Sequence, residues 1–386
     1  MEINRIGVLL FLCTSLLGSC NRELDLEHRY DNSQSSKPFE EEKPEDELEY
    51  TDKGLYSISE RVTVSFPTNI PRSGYFPDGK LSVCKLKGED TFTTFWSGDC
   101  SFMQTGCKSP WFEDNIGSLN SSMAVIGKGV SPVTDGFTDG GMWLIGVHEL
   151  SDGRLAGFFH AESHFPGVAS QYKSIGLSYS SDGGRSWDAG CKIISGPEPK
   201  PEQGEGGGKS YGLGDGCVVW NEAQGKWICY YSGYCDNPGD FVISMAASDS
   251  PVAEPSSWKK WDGDAFNTPA CDQESGLGAP NIKIKNLDAY HGGNPSVCWN
   301  SAFNKWLMCF HSWGRELVLS MSDDGIVWSR PAVLLGAEDE PGGAMYPNFL
   351  SENGDLECAK EFRIYYAADM DNSGKRQLCY RVIKLK

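Results

Sequence analysis

The sequence has few basic residues for its acidity. Lys and Arg number 34 against 53 Asp and Glu, which gives a formal net charge of −19 at pH 7. So acidic a chain is poorly suited to bind nucleic acid or an anionic membrane surface, and we expect neither as a partner. After residue 20 it also lacks any apolar run long enough for a membrane-spanning helix.

The first twenty residues differ from the rest of the chain. Arg5 gives a short positive start, and residues 6–17 form an apolar run that is too short to span a bilayer. Small residues then precede Cys20 directly. This ending resembles the lipobox of bacterial lipoproteins, which implies a signal peptide over 1–19 and lipid attachment at Cys20. The alternative is an ordinary secretory signal that is cut just before a structural thiol.

Residues 20–52 read as an acidic tether. Between residues 21 and 50 the chain has eleven Asp or Glu, four Lys or Arg and hardly any large apolar side chains. Such a segment cannot bury enough apolar surface to fold. An acidic stretch behind the lipidated cysteine resembles the surface-export signal of some Gram-negative lipoproteins. We therefore expect a lipid-anchored protein of the outer membrane, exposed at the cell surface.

The remaining chain contains an internal repeat. Residues 217–230 and 296–309 share Trp, Asn, Ala, Lys and Trp in register at an offset of 79 residues, and each copy has a Cys close behind the second Trp. Each copy has two β-rich runs around a polar turn, which predicts a hairpin. A third run follows in both copies, at 241–245 and 317–321, and leads to a Trp at the expected fourth strand.

The same pattern recurs upstream and downstream, which gives five units of roughly 65 to 75 residues. Four-stranded sheets at this period predict an all-β fold, a five-bladed β-propeller of four-stranded antiparallel blades over 53–386. The last unit lacks an outer strand, so we expect residues 57–64 to close the ring. A β-sandwich is the alternative, although it would not require the repeated Trp spacing.

Two turns resemble the Asp-box of sialidases and related propellers. Ser180, Asp182, Gly184 and Trp187 fit the pattern, and residues 321–328 are a degraded copy around Asp323. In this turn the Asp accepts backbone N–H groups and the Trp covers an apolar edge. Asp182 and Asp323 are therefore predicted to be structural.

Fourteen cysteines occur, of which Cys13 and Cys20 belong to the signal and the anchor. An even number in an exported chain permits disulfides, and we expect one or two, with Cys100 and Cys107 as a candidate pair. Cys229 and Cys309 lie one place apart in the predicted second strands of the two copies, where a buried thiol fits as well as a disulfide. None of the spacings matches a zinc site.

The starts of the first strands and the loops between second and third strands should share one face. Asp139, Asp215, Asn294 and Tyr346 lie at four successive strand starts, beside repeated glycines and His291. The period of two places His160, Glu162 and His164 on one side of a strand end. The equivalent loops of the later units contribute Tyr234, Asp236, Asp240, His311, Trp313, Arg315, Asp369 and Asp371.

Carboxylates, histidines and aromatic rings together suit a sugar, whose hydroxyls need polar partners and whose C–H face stacks on a ring. The architecture resembles the five-bladed glycoside hydrolases of families 43, 32, 117 and 130, and residues 293–297 resemble the Asp-Pro-Ser-Val strand start of that clan. Asn294 replaces the Asp there, so that position cannot supply a general base. No phosphate-binding signature of the phosphorolytic family is found.

The resemblance implies hydrolysis of a terminal sugar from an extracellular oligosaccharide or polysaccharide by two carboxyl groups. We assign Glu162 as the acid, with a pKa raised by Phe158, Phe159 and Phe165, and Asp215 as the base. Asp139 and His160 would orient these two groups. The predicted substrate-binding residues are His164, Tyr234, Asp236, His291, Asn294, His311, Trp313, Arg315 and Tyr346.

Three alternatives stay open. A sialidase-like exo-hydrolase would need an arginine cluster, whereas only Arg154 and Arg315 lie near useful loops, and Arg154 fits a hairpin on the far face. A surface lipoprotein could instead bind glycan without chemistry. His160, Glu162 and His164 could hold a transition metal, but we predict no required cofactor, with Ca²⁺ in the central channel as an option. We expect a monomer.

Overall fold

A computed structural model describes residues 48–65, 78–98, 101–107, 109–116, 136–205, 210–234, 241–287, 290–312, 315–369 and 376–386. Of the described residues, 52 % lie in strands and 3 % in helices, which confirms the predicted all-β class. The described part contains one short helix, α1 (Phe112–Ile116), and a 3₁₀ turn (Pro255–Ser257). Among the described residues, no helix has the length and hydropathy needed to cross a membrane.

The strands, in chain order, are β1 (Tyr50–Asp52), β2 (Tyr56–Ser59), β3 (Val62–Thr63), β4 (Leu81–Lys85), β5 (Phe92–Gly98), β6 (Ser101–Cys107), β7 (Gly141–Glu149), β8 (Leu155–His164), β9 (Gln171–Ser180), β10 (Cys191–Ile194), β11 (Ser210–Asn221), β12 (Lys226–Tyr234), β13 (Phe241–Ser248), β14 (Lys259–Trp261), β15 (Phe266–Pro269), β16 (Gly292–Asn300), β17 (Lys305–Ser312), β18 (Leu317–Ser322), β19 (Ala332–Leu335), β20 (Ala344–Leu350), β21 (Glu357–Cys358), β22 (Glu361–Ala368) and β23 (Gln377–Leu385).

These strands form five antiparallel units. Unit one is β4-β5-β6, unit two is β7-β8-β9-β10, unit three is β11 to β15 and unit four is β16 to β19. Unit five is β20-β22-β23, and β2 pairs with β23 at its outer side. The prediction that residues near 57–64 complete the last unit is confirmed by this pairing and by that of β3 with β23.

The first strands of the units contact one another in the order β4, β7, β11, β16 and β20. Between the last and the first, the backbone N–H of Leu81 donates to Asn348 Oδ1 at 2.8 Å. The innermost strands therefore form a closed ring, the arrangement of a β-propeller that the repeat predicted.

Five apolar cores hold the units together, one between each neighbouring pair. Alternation along a strand explains how one strand serves two cores. Phe158 is buried against Val218 and Trp227 of unit three, whereas Phe159 is buried with Phe95 on the side of unit one. The other three cores lie between units three and four, four and five, and five and one.

The ordered fold begins earlier than the predicted boundary at residue 53. Leu48 is buried and Tyr50 packs against the same core, which also includes Val62. β1 pairs with β2, with Tyr50 opposite Ser59. The acidic composition of the segment hid these two apolar side chains, and residues 48–52 belong to the fold and not to the predicted tether.

Three first strands share an unusual backbone feature at the same repeat position. Asp215, Asn294 and Tyr346 have φ values of 45°, 53° and 53°, and each lies where the pairing with the second strand shifts by one residue. Such β-bulges turn a side chain away from the sheet. A positive φ is costly for residues with a Cβ, so three repetitions indicate that the backbone of the repeat imposes it.

The turns that lead to the fourth strands of units two and four are held by their own side chains. Asp182 Oδ1 accepts the N–H of Ser186 at 2.9 Å, and Trp187 Nε1 donates to the Gly184 carbonyl at 3.0 Å. In unit four the equivalent carboxylate belongs to Asp324, which accepts the N–H groups of Ile326 and Val327. The structural role predicted for Asp323 is therefore wrong by one residue.

Cys229, Cys298, Cys309 and Cys358 are present as thiols. Cys229 and Cys309 are fully buried in their strands, which agrees with the buried-thiol alternative for these two positions. The predicted pair of Cys100 and Cys107 lies outside the described residues, since Cys100 is not among them and the side chain of Cys107 is not described.

Candidate active site

The end of β8 brings together three predicted side chains. His160 Nε2 lies 3.2 Å from Glu162 Oε1, and His164 Nε2 lies 3.3 Å from Glu162 Oε2. The side chain of Glu162 is 12 % exposed and that of His160 only 2 %. Because alternate residues of a strand share one face, this grouping follows from the sequence pattern.

His160 also reaches Asp215, which projects from the bulge of β11. The backbone N–H of Asp215 donates to His160 Nδ1 at 2.8 Å. Nδ1 therefore acts as an acceptor, and a neutral imidazole carries its proton on Nε2, which faces Glu162. The 3.3 Å approach of Asp215 Oδ1 to the same Nδ1 is a contact between two acceptors and not a second hydrogen bond.

Lys173 is a member of this cluster that the sequence reading missed. Its Nζ lies 3.3 Å from Glu162 Oε1 and 3.8 Å from Asp215 Oδ2. Glu162 Oε1 and Asp215 Oδ2 are thus at most about 7 Å apart. This upper limit is compatible with the short carboxyl separation of retaining glycosidases and with the longer one of inverting glycosidases. Lys173 lies on β9, directly opposite Glu162 in the β8–β9 pairing.

The expected rise in the pKa of Glu162 is not found. Burial acts in that direction, but the ammonium of Lys173 and the hydrogen bonds from His160 and His164 outweigh it and hold the pKa well below its usual value. Phe158 and Phe159 face the neighbouring cores instead. Glu162 is therefore a carboxylate in this arrangement, which contradicts the premise on which it was assigned as the acid.

Asp139 lies beside the cluster and does not line the pocket. Its Oδ1 accepts the backbone N–H of His164 at 3.0 Å, which fixes the end of β8. The pocket position of unit two belongs to Trp143, whose ring meets that of His160 edge-on at a centroid distance of 5.4 Å. The bulge of β7 lies at Ile145. Asp139, which the sequence aligned with Asp215, Asn294 and Tyr346, precedes this bulge and is therefore not their structural equivalent.

A pocket lies at the centre of the ring, and every unit contributes to it. Its lining includes Gly79, Trp143, Asp215, Asn294 and Tyr346, one from each of the five units in order. The predicted convergence of Asp215, Asn294 and Tyr346 is therefore observed. Aromatic, amide and carboxylate groups face the same space.

Asp78 and Arg376 extend the pocket wall. Asp78 Oδ2 accepts the Trp143 indole N–H at 3.1 Å, and its Oδ1 pairs with Arg376. The Arg376 guanidinium lies 5.3 Å from the ring centroid of Tyr346, and desolvation raises the pKa of Tyr346, so its hydroxyl stays neutral. Asp78-Gly79 repeats the Asp215-Gly216 pair, a signal that could have identified Asp78 in the divergent first unit.

The remaining predicted residues take varied positions. His311 is buried, and desolvation lowers its pKa to about 4, so it is neutral near Asp215. Asn294 donates its backbone N–H to Ser232 Oγ at 2.9 Å, His291 is exposed, and the exposed Arg315 accepts the Ala344 N–H at its carbonyl. Asp369 pairs with Arg61 away from the cluster. The side chain of Tyr234 and the whole of Asp236, Asp240, Trp313, Asp371 and Cys20 lie outside the described residues.

Arg154 lies on the hairpin turn of unit two, where it pairs with Asp152 and stacks over Tyr179 at 4.6 Å from its centroid. It takes no part in the described pocket wall. Arg376 contacts the lining residue Tyr346 from outside the lining and is paired with Asp78.

A buried ion pair lies in the wall of the central channel. Lys80 lines the pocket and places its Nζ 3.2 Å from Asp355 Oδ2, with both side chains at most 4 % exposed. A buried ammonium at this position opposes a second cation. Across the part of the chain that the structure describes, no group of three or more His, Cys, Asp or Glu is placed to hold a metal ion.

No protein-family model matches the sequence, and no curated protein matches it either. Among solved structures, the chain is similar to the α-L-arabinofuranosidase of Podospora anserina in complex with cellotriose, at 10 % identity over 84 % of this chain and 95 % of that chain, with a TM-score of 0.49. It is also similar to the GH62 α-L-arabinofuranosidase domain of Coprinopsis cinerea, at 11 % identity over 83 % and 95 %, with a TM-score of 0.48. A GH43 enzyme of Xanthomonas citri follows at 11 % identity over 78 % and 86 %, with a TM-score of 0.46. These TM-scores lie below 0.5, so the similarities carry no argument about this chain. The description of the fold rests on the strand pairing of the chain itself.

Proposed function

We propose that the protein is a glycoside hydrolase that releases a terminal sugar from an extracellular glycan. The observation that carries the proposal is the pair of carboxyl groups, Glu162 and Asp215, that share Lys173 and His160 at the mouth of the central pocket. Two carboxyl groups at such a spacing can protonate a glycosidic oxygen and activate water or attack the sugar.

The contacts favour roles opposite to those first expected. Lys173 lies closer to Glu162 than to Asp215, and Glu162 also faces two imidazoles. Its negative charge is the better stabilised of the two, so we assign Glu162 as the base or nucleophile and Asp215 as the acid. Asp215 would protonate the leaving oxygen while the Glu162 carboxylate takes a proton from water or bonds to the anomeric carbon.

The pocket suits a neutral sugar ring at a chain end. Trp143 and Tyr346 provide aromatic surface, and Asn294 provides an amide at the same depth. Stacking serves the C–H face of a sugar, and amide groups serve its hydroxyls. Because the five first strands close behind the pocket, a chain end fits better than the middle of a polymer.

Product analysis tests this proposal. The tether-free protein is incubated with plant, algal and host glycans, and released monosaccharide is measured. Glu162→Gln should lower turnover by about 10² to 10⁴-fold, since it removes the charge that must accept a proton. Glu222→Gln, at an exposed turn of unit three, is the matched control. Equal activity of the two variants would remove Glu162 from the mechanism.

A second candidate is a surface protein that holds glycan without chemistry. The contact of Lys173 with both carboxylates favours it, since each charge is already compensated in the free protein. This function predicts binding of an oligosaccharide with no product from any glycan in the panel. Sialic acid release would instead indicate the sialidase-like alternative, with Arg376 as the first arginine to test.

We also propose that Cys20 carries the lipid that anchors the protein in the outer membrane. The support is the small-residue run before Cys20 and the acidic segment behind it. Wild-type protein should incorporate radiolabelled palmitate and partition into detergent, whereas Cys20→Ala should do neither. Protease access on intact cells then distinguishes the outer surface from the inner leaflet.

A further inference from the structure

Two buried cysteines meet where unit four contacts unit five. Cys298 lies on β16 and Cys358 on β21, and their Sγ atoms are 3.0 Å apart. The side chains are 0 % and 1 % exposed. β16 and β21 run parallel, with Asn300 opposite Cys358, so Cys298 is the diagonal neighbour. Among cysteines with described side chains, these are the two whose sulfur atoms lie in contact.

We propose that Cys298 and Cys358 form a disulfide that links β16, the first strand of unit four, to β21, which pairs with β16 and lies in the connection between β20 and β22 of unit five. A disulfide has an S–S length of about 2.05 Å, so the two atoms need to approach by roughly 1 Å. Asn300 Nδ2 donates to the Ala359 carbonyl at 2.8 Å and lies 3.5 Å from Cys358 Sγ, which fixes the segment that presents the second sulfur. The linkage does not depend on the proposed hydrolase function.

The bond can form by exchange with a low-molecular-weight disulfide such as oxidised glutathione. One cysteine thiolate attacks the glutathione disulfide, forms a mixed disulfide and releases one glutathione thiolate. The second cysteine then attacks the mixed disulfide and releases the second glutathione. The two cysteine thiols lose their protons and one electron each, and the glutathione disulfide is reduced to two thiols.

Burial determines when this exchange takes place. Desolvation raises the pKa of Cys298 well above its usual value, and neither sulfur is accessible once units four and five have packed. The bond therefore forms during folding and afterwards resists reductant. It closes a segment whose ends are 60 residues apart, which contains the outer strands of unit four and the first strand of unit five.

Peptide mapping of the full chain tests the proposal directly. The protein is refolded in a buffer of reduced and oxidised glutathione, denatured, and alkylated without reductant. We expect the peptides of Cys298 and Cys358 to appear joined, with a mass lower by two hydrogen atoms than that of the separate peptides. Alkylation of both thiols in this material would overturn the proposal.

Thermal unfolding gives a second measurement with a matched control. Cys309→Ser changes a thiol that is equally buried in the same core. In oxidised protein, Cys298→Ser and Cys358→Ser should lower the Tm by about 5 °C more than Cys309→Ser does, because they also release the cross-link. The difference should vanish in protein refolded under reductant, and a difference of the same size in both redox states would contradict the bond. The double variant Cys298→Ala/Cys358→Ala serves if a buried serine prevents folding.

Discussion

Units three and four share one backbone arrangement but carry different side chains at the bulge of the first strand. Their first two strands pair in the same register, with Trp220 opposite Trp227 and Trp299 opposite Trp306. The bulge before each pair has positive φ in both units. At that bulge unit three carries Asp215, where unit four carries Asn294.

The difference lies in what the neighbouring unit offers. Asp215 faces unit two, where its backbone N–H donates to His160 Nδ1 and its carboxylate lies near the ammonium of Lys173. Asn294 faces unit three and donates its backbone N–H to Ser232 Oγ. The repeat therefore fixes where a side chain is presented, whereas the preceding unit decides what chemistry that side chain can perform.

The largest expected effect comes from making unit three like unit four. Asp215→Asn removes one of the two carboxyl groups and should lower kcat by about 10² to 10⁴-fold on a cleaved glycan. Asn294→Asp added to this variant should not restore turnover, because the Asn294 backbone meets Ser232 where the Asp215 backbone meets His160, and because Lys173 contacts Asp215. Released sugar is measured, with the Tm as a check of folding. Recovery in the double variant would show that any carboxylate at the ring suffices.

Removing the ammonium group of Lys173, in unit two, should have a smaller effect on activity. Lys173→Met takes away the charge that holds the pKa of Glu162 low, so that pKa should rise. A base must be ionised, and the acid limb of the pH dependence of kcat/KM should therefore move to higher pH by about one unit.

Two exposed lysines provide the controls for this shift. Lys226 of unit three and Lys305 of unit four pair with Asp249 and Asp323 at equivalent turns, far from the pocket. Lys226→Met and Lys305→Met should leave the acid limb where it is. If the acid limb of kcat/KM is also unchanged in Lys173→Met, Lys173 does not control the ionisation of Glu162.

Most of the fold could be predicted from the sequence, because the repeat reports backbone structure. Paired Trp residues and polar turns mark the strands of units three and four, and the missing outer strand of unit five predicts the N-terminal closure. The turn of unit four was predicted one residue too early, because the predicted register puts Met321 at the position of the first Ser of the Asp-box. Ser322 occupies that position, and Asp324 supplies the carboxylate. The early start at Leu48 was missed since its neighbours are acidic.

The site could be predicted only in part. His160, Glu162 and His164 share one strand face, so periodicity finds them, and Asp215 follows from the repeat. Lys173 comes from the next strand and Asp78 from a divergent unit, where periodicity within one strand gives no information. The low pKa of Glu162 depends on Lys173, so a sequence reading that omits the lysine reverses the proton assignment.

A difference between the second strands of the two units should appear as a pH effect on stability. His311 of unit four occupies the position of Ser232 in unit three. Burial lowers the pKa of His311 to about 4, below the value of about 6.5 for an unfolded chain. The unfolded state therefore takes up the proton first, and stability is lost as the pH falls from about 6.5 towards 4.

The loss attributable to His311 should be about 2 kcal/mol between pH 7 and pH 5. His311→Gln should reduce the pH dependence of the free energy of unfolding by this amount, measured by urea denaturation at both pH values. His291→Gln, at an exposed position of the same unit, should leave it unchanged. An unaltered pH dependence in His311→Gln would mean that the imidazole is charged in the fold.

The smallest effect concerns the turns that follow the third strands. Ser248 of unit three and Ser322 of unit four each accept the N–H group two residues on, which belongs to Ser250 in one unit and Asp324 in the other. Asp324 also accepts the N–H groups of Ile326 and Val327, so Asp324→Ser should cost about 1 kcal/mol of unfolding free energy. Asp323→Ser is the matched control, because that carboxylate is 81 % exposed and its pairing with Lys305 stabilises little. Equal losses in the two variants would show that the bonds accepted by the Asp324 carboxylate add nothing to the stability of this turn.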